Sequence, residues 1–124
     1  MPRHIYISCE DHERKLPEVK DLCSFLQLHG CVLEWAPLVG WDFYRGVETA
    51  IERCDVFVAV VAGGYTGSTW LNHELGYADH LRRGRMHPRP RIFAYSIAGM
   101  GLPVCSQHIP VEWLSAAFEK IGDY

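Results

Sequence analysis

Apolar positions along the chain alternate between strand-like runs and the three-and-four spacing of a helix face. His4-Ile5-Tyr6-Ile7-Ser8 is a short β-branched and aromatic run that predicts a first strand. Pro17 suits a first helical turn, and Val19, Leu22, Cys23 and Leu26 follow at the spacing of one helical face. Gly30 closes that helix, and residues 31–35 (CVLEW) predict a second strand. Pro37 and Gly40 punctuate a loop over 36–42, after which a second helix is expected from Tyr44 to Arg53 with Val47, Ala50 and Ile51 inward. Residues 55–62 (DVFVAVVA) are nearly continuous in apolar side chains, as a central parallel strand buried on both faces must be. Gly63, Gly64 and Gly67 turn the chain into a third helix expected from Ser68 to Arg83. After a basic connection over 84–90, Arg91 to Ser96 predicts a fourth strand, followed by a loop over 97–109. Pro110 is expected to open a last helix with Val111, Leu114, Ala117, Phe118 and Ile121 on one face.

Strands alternating with helices imply right-handed crossovers and a parallel sheet covered on both sides. The expectation is an α/β three-layer sandwich of four to five parallel strands with helices on both faces, one domain over residues 1–124. Such sheets bind ligands outside the carboxyl ends of their strands, here the loops at 8–16, 36–42, 63–67 and 96–109.

Composition narrows the classes. A net charge of −3 supplies no basic field for nucleic acid, and 48% hydrophobic with 22% charged residues is ordinary globular usage. No apolar run reaches the roughly eighteen residues of a membrane span. The five cysteines (Cys9, Cys23, Cys31, Cys54, Cys105) include no CxxC pair, which argues against a disulfide framework or a zinc site. Cys23, Cys31 and Cys54 read as small buried hydrophobes. Met1-Pro2-Arg3-His4 runs straight into a strand without the order of a signal peptide, and a cytoplasmic protein is expected.

Trp70 and Glu74, four apart on the third helix, share a face that Tyr77 and Leu81 continue, while Leu71, Leu75 and Ala78 make the core stripe. Spacing alone leaves Glu74 either as a solvated helix carboxylate or as one desolvated against aromatic rings, with a raised pKa. Gly40 and Trp41 either close over a ligand, with Trp41 or Trp35 stacking on a flat ring, or simply turn and pack. The glycines before the third helix offer its N-terminus to a phosphate, but neither a P-loop nor a GxGxxG motif is present. His73 and His80 have no ligand partner at metal-site spacing, so no metal is expected. Arg82, Arg83, Arg85, Arg89 and Arg91 read as a solvated connection.

The run from Ala50 to Val61, followed by Tyr65-Thr66-Gly67-Ser68-Thr69-Trp70-Leu71-Asn72-His73-Glu74-Leu75, resembles the TIR (Toll/interleukin-1 receptor) domain family. There, a buried strand precedes an S-x-W-x-x-x-E-L sequence that opens the next helix, and Ser68, Trp70, Glu74 and Leu75 fall at the matching steps. Ser8 with Glu10-Asp11, and Gly40, match the family's first acidic loop and its second-strand loop. The resemblance implies a flavodoxin-like fold and, in catalytic members, cleavage of NAD to nicotinamide and ADP-ribose or a cyclised form. It makes Glu74 the essential residue and has Trp70, Ser8, Gly40 and Trp41 line the nicotinamide-ribose pocket. Cys9 joins that lining where the family often carries an aromatic residue. NAD is then substrate, so no cofactor is required; the partners are NAD and further TIR domains, including copies of this chain, with no nucleic acid and no membrane. Leu71, where animal receptors usually carry cysteine, points to a microbial-type enzyme and to a role in defence or stress signalling.

Glu74-Leu75-Gly76-Tyr77-Ala78 also resembles the stretch that carries the nucleophile of nucleoside 2-deoxyribosyltransferases. An ordinary nucleoside base leaves more readily when protonated and calls for a second acid, for which Asp42 and Asp79 are candidates. Nicotinamide is already cationic and leaves neutral, so one carboxylate suffices. A TIR scaffold that acts by homotypic contact, without turnover, is the non-enzymatic alternative.

Overall fold

The computed structural model describes residues 3–35, 43–62, 65, 68–86, 89–97, 99, 101–102 and 106–114. Five strands form one parallel sheet: β1 (His4–Ser8), β2 (Val32–Glu34), β3 (Val56–Val61), β4 (Arg91–Ser96) and β5 (Glu112–Leu114). Their order is β2-β1-β3-β4-β5, so the chain leaves β1 toward one side and returns to build on the other. The direction of winding reverses between β1 and β3, which pair with Ile5 opposite Val56 and Ser8 opposite Ala59. This is the flavodoxin-like order, in which the carboxyl ends at the reversal form a crevice.

Alternation along the strands divides the core. Tyr6, Phe57, Ala59, Val61, Ile92 and Ala94 face helix α2 (Phe43–Arg53) and helix α3 (Thr69–Gly84), meeting Val47, Ile51, Leu71, Leu75 and Ala78. Ile5, Ile7, Val56, Val58, Val60 and Phe93 face helix α1 (Pro17–Leu28), meeting Val19, Leu22 and Leu26. Every residue of β3 is buried, as its unbroken apolar run predicts for the middle of a three-layer sandwich. Burying a side chain such as Leu75 stabilises by about 1.5–3 kcal/mol.

Local chemistry sets the helix ends. Pro17 occupies the first turn of α1, and Gly30 beyond its end adopts φ 78°, a left-handed conformation that costs glycine little. Ser68 caps α3, its Oγ accepting the Leu71 N–H at 3.1 Å. Ser68→Ala should therefore cost about 1 kcal/mol, read as a lower urea midpoint at unchanged slope. Arg82 and Arg83 in the last turn complement the helix dipole and pair with Asp79, with Arg83 Nε at 3.2 Å.

Two expectations need correction. The loop after β1 contains a 3-10 turn, Asp11–Lys15, closed by reciprocal bonds between Glu10 and Glu13, so chain that lacked an apolar period still forms ordered structure. The helix expected from Pro110 begins as a strand: Glu112–Leu114 pairs with β4, and residues from 115 onward lie outside the described residues. Val111 and Leu114 are three apart, as a helix face would have them, but pairing satisfies the otherwise open polar edge of β4. It also sets Glu112 against the Arg91 guanidinium and turns Leu114 inward.

Candidate active site

Tyr6 and Ser8 are two apart on β1 and so project from the same face, the one that α3 covers. Glu74 comes from the second turn of α3 and meets them. Ser8 Oγ donates to Glu74 Oε1 at 2.9 Å, and the Tyr6 hydroxyl donates to Oε2. Behind Ser8, the Tyr65 hydroxyl lies 2.8 Å from its Oγ. Asn72 fixes that turn by donating to the carbonyls of Tyr65 at 3.0 Å and Ser68 at 2.8 Å. The group thus lies at the carboxyl ends of β1 and β3, where the sheet order reverses.

Glu74 is only 1% exposed. A carboxylate removed from water is costly to ionise, and burial pushes its pKa from 4.5 up to about 7. The bonds from Tyr6 and Ser8, and the Arg14 guanidinium, act in the opposite direction. Arg14 belongs to the 3-10 turn and lies over the Trp35 ring, 4.6 Å from its centroid. Burial likewise pushes Tyr6 and Tyr65 far above the ordinary tyrosine range, so both act as neutral hydroxyls. The result is one carboxyl group poised near neutrality within a cage of neutral donors, the condition suited to a base or nucleophile at pH 7.

The other residues singled out above divide. Trp70 stands one turn before Glu74 on α3, partly buried, with its ring 5.7 Å from that of His73. Cys9 packs on the opposite face of β1 with Ile5 and Ile7, and burial pushes its thiol to about 12, so it presents no thiolate at neutral pH. Cys54 is buried as expected, whereas Cys23 and Cys31 are only partly so. Gly40, Trp41 and Asp42 lie outside the described residues. Asp79 is buried, but its carboxylate is held by Arg82 and Arg83. The hydroxyl of Tyr77 bonds Glu52, so the donors that hold the Glu74 carboxylate come from Tyr6 and Ser8. Sequence patterns do not single out Tyr6 or Tyr65 as site residues. The signal for Tyr6 was available, since period two places it on the face of Ser8.

Among the described residues, no group of His, Cys, Asp or Glu could hold a metal ion, and no helix is long and apolar enough to cross a membrane.

The sequence profile of the TIR domain matches residues 5–121. Among solved structures, the chain is similar to a CMP N-glycosidase of Clostridium botulinum, BcmB, with a TM-score of 0.65 and 17% identity over 98% of this chain and 100% of that one. At that identity the likeness is one of fold. No curated protein matches the chain.

Proposed function

This chain belongs to the TIR domain family, and from that premise we propose that it is an NAD glycohydrolase or cyclase that uses Glu74 to break the nicotinamide-ribose bond. The observation that carries this reading is a single desolvated carboxylate, held by two hydroxyls at the reversal point of a parallel sheet. Nicotinamide departs as a neutral molecule and takes the bonding electrons with it, leaving positive charge at the ribose C1′. Ionised Glu74 steadies that charge or adds to C1′, which in low dielectric is worth more than in water. Water then supplies the new C1′–O bond and releases a proton, giving ADP-ribose. Capture by a nucleophilic atom of the same ADP-ribose gives the cyclic product. Trp70 and, by the family pattern, Gly40 and Trp41 hold the nicotinamide-ribose end, with Ser8 beside the carboxylate. We place the activity in the cytoplasm, in an oligomer of this chain or with other TIR domains, as a step in defence or stress signalling.

A second reading is cleavage of an ordinary nucleoside or nucleotide. It draws support from the likeness to the CMP N-glycosidase. Against it, Asp79, one candidate for the second acid, is already engaged by arginines. Incubation of concentrated protein with NAD, deoxyadenosine, deoxycytidine 5′-phosphate and CMP separates the readings. Nicotinamide release from NAD is expected. Base release from the other compounds, with NAD untouched, would transfer Glu74 to the second reading. Self-association without turnover of any of the four would leave a scaffold.

A further inference from the structure

We infer that Tyr6 and Tyr65 are positioning residues of this site: Tyr6 directly, and Tyr65 through Ser8, aim hydroxyl protons at Glu74 and hold it ionised in one orientation. The direction of the bonds follows from counting protons. An ionised carboxylate only accepts, so Ser8 must give its single hydroxyl proton to Oε1 at 2.9 Å. Ser8 Oγ, with that proton spent, then accepts from the Tyr65 hydroxyl 2.8 Å away. Donation from Tyr65 polarises Ser8 and strengthens its bond to Glu74. Tyr6 closes the other side on Oε2. Both carboxylate oxygens are thereby committed, which removes rotation about the terminal torsion.

Packing does not require these hydroxyls. The Tyr6 ring stacks on Phe57 at 5.6 Å between centroids, and a phenylalanine would keep that contact. Tyr6, Ser8 and Tyr65 are all fully buried, so bulk water does not replace a lost donor. Two buried hydroxyls on one carboxylate, with a third behind Ser8, are costly to desolvate and serve its ionised form above all. The other groups that act on Glu74 from the surrounding chain are Arg14, which favours its charge, and Glu10, which opposes it; Cys9 lies near as a neutral thiol. All three stay in place when a tyrosine is changed, so a shift in Glu74 reports the missing hydroxyl.

The inference rests on Glu74 being the working carboxylate of the proposed reaction, and its test has a readout that does not need turnover. The protonated carboxyl band of Glu74 is followed by infrared difference spectroscopy against pH and identified by its absence in Glu74→Gln. In Tyr6→Phe the midpoint should rise by about one pH unit, and in Tyr65→Phe by a smaller step in the same direction. For nicotinamide release, kcat/KM at pH 6 should fall about tenfold in Tyr6→Phe, with little change at pH 9 and KM nearly constant. A purely structural role would lower Tm and leave the midpoint where it was. An unmoved midpoint in both variants overturns the inference, whatever the activity. A moved midpoint in a protein that never cleaves NAD upholds the positioning role and removes the proposed reaction.

Discussion

Glu74→Gln is expected to lower nicotinamide release from NAD by about a thousandfold while leaving the protein folded. Glutamine has the same shape and keeps an oxygen to accept from Ser8 or Tyr6, so the hydrogen-bonded cage survives with one bond altered. What disappears is the negative charge that, in the proposed reaction, meets the developing charge at C1′. Because the site is desolvated, water does not restore that charge, and the loss falls on kcat more than on KM. Single-turnover assays at high protein concentration, with circular dichroism to verify the fold, measure it. Activity within tenfold of the wild type would remove Glu74 from the chemistry.

The second large effect is on stability, and its sign is opposite. The folded pKa of Glu74 is about 7 against 4.5 for a free glutamate, so the folded state holds the proton more tightly. Below about pH 4.5 both states are protonated and burial of the group carries no ionisation cost. Between 4.5 and 7 the unfolded chain ionises first, and stability falls as pH rises. Above 7 both states are charged and the full cost, up to about 3 kcal/mol, remains. Glu74→Gln should therefore melt higher than the wild type at pH 8, by on the order of 10 °C, with the difference shrinking toward pH 4.5. Parallel melting curves at several pH values test this. A variant less stable than the wild type at pH 8 would mean that the hydroxyl bonds outweigh burial.

Much of the fold, and part of the site, is legible in the sequence. The strand runs at His4–Ser8 and Arg91–Ser96 are legible because short runs rich in isoleucine and aromatic residues favour a strand. Helix α3 is legible from Ser68 as its cap and from the Leu71, Leu75 and Ala78 stripe. The family pattern singles out Glu74 itself. Its burial is not visible locally, since the same helical position is solvated or enclosed according to what lies opposite. What lies opposite are Tyr6 and Ser8, 68 and 66 residues away in the chain, a pairing that periodicity within α3 cannot register. The same blindness turned Val111 to Leu114 into an expected helix, because the open edge of β4 that makes a strand there is a property of the sheet.

The position of β1 in the interior of the sheet has a further consequence for biosynthesis. Strand β1, synthesised before β2 and β3, is flanked by both, and its backbone is joined to the start of β3 by bonds such as that from the Asp55 N–H to the His4 carbonyl at 2.7 Å. An emerging chain can dock β1 against α1 and β2, but its second edge stays open until β3 is available. Tyr6 and Ser8 then wait for α3 to deliver Glu74. No nascent fragment ending before that helix contains the carboxylate together with its donors. Assembly of the Glu74 site is thus tied to closure of the central sheet, so a chain interrupted before α3 carries no part of the activity proposed for the whole.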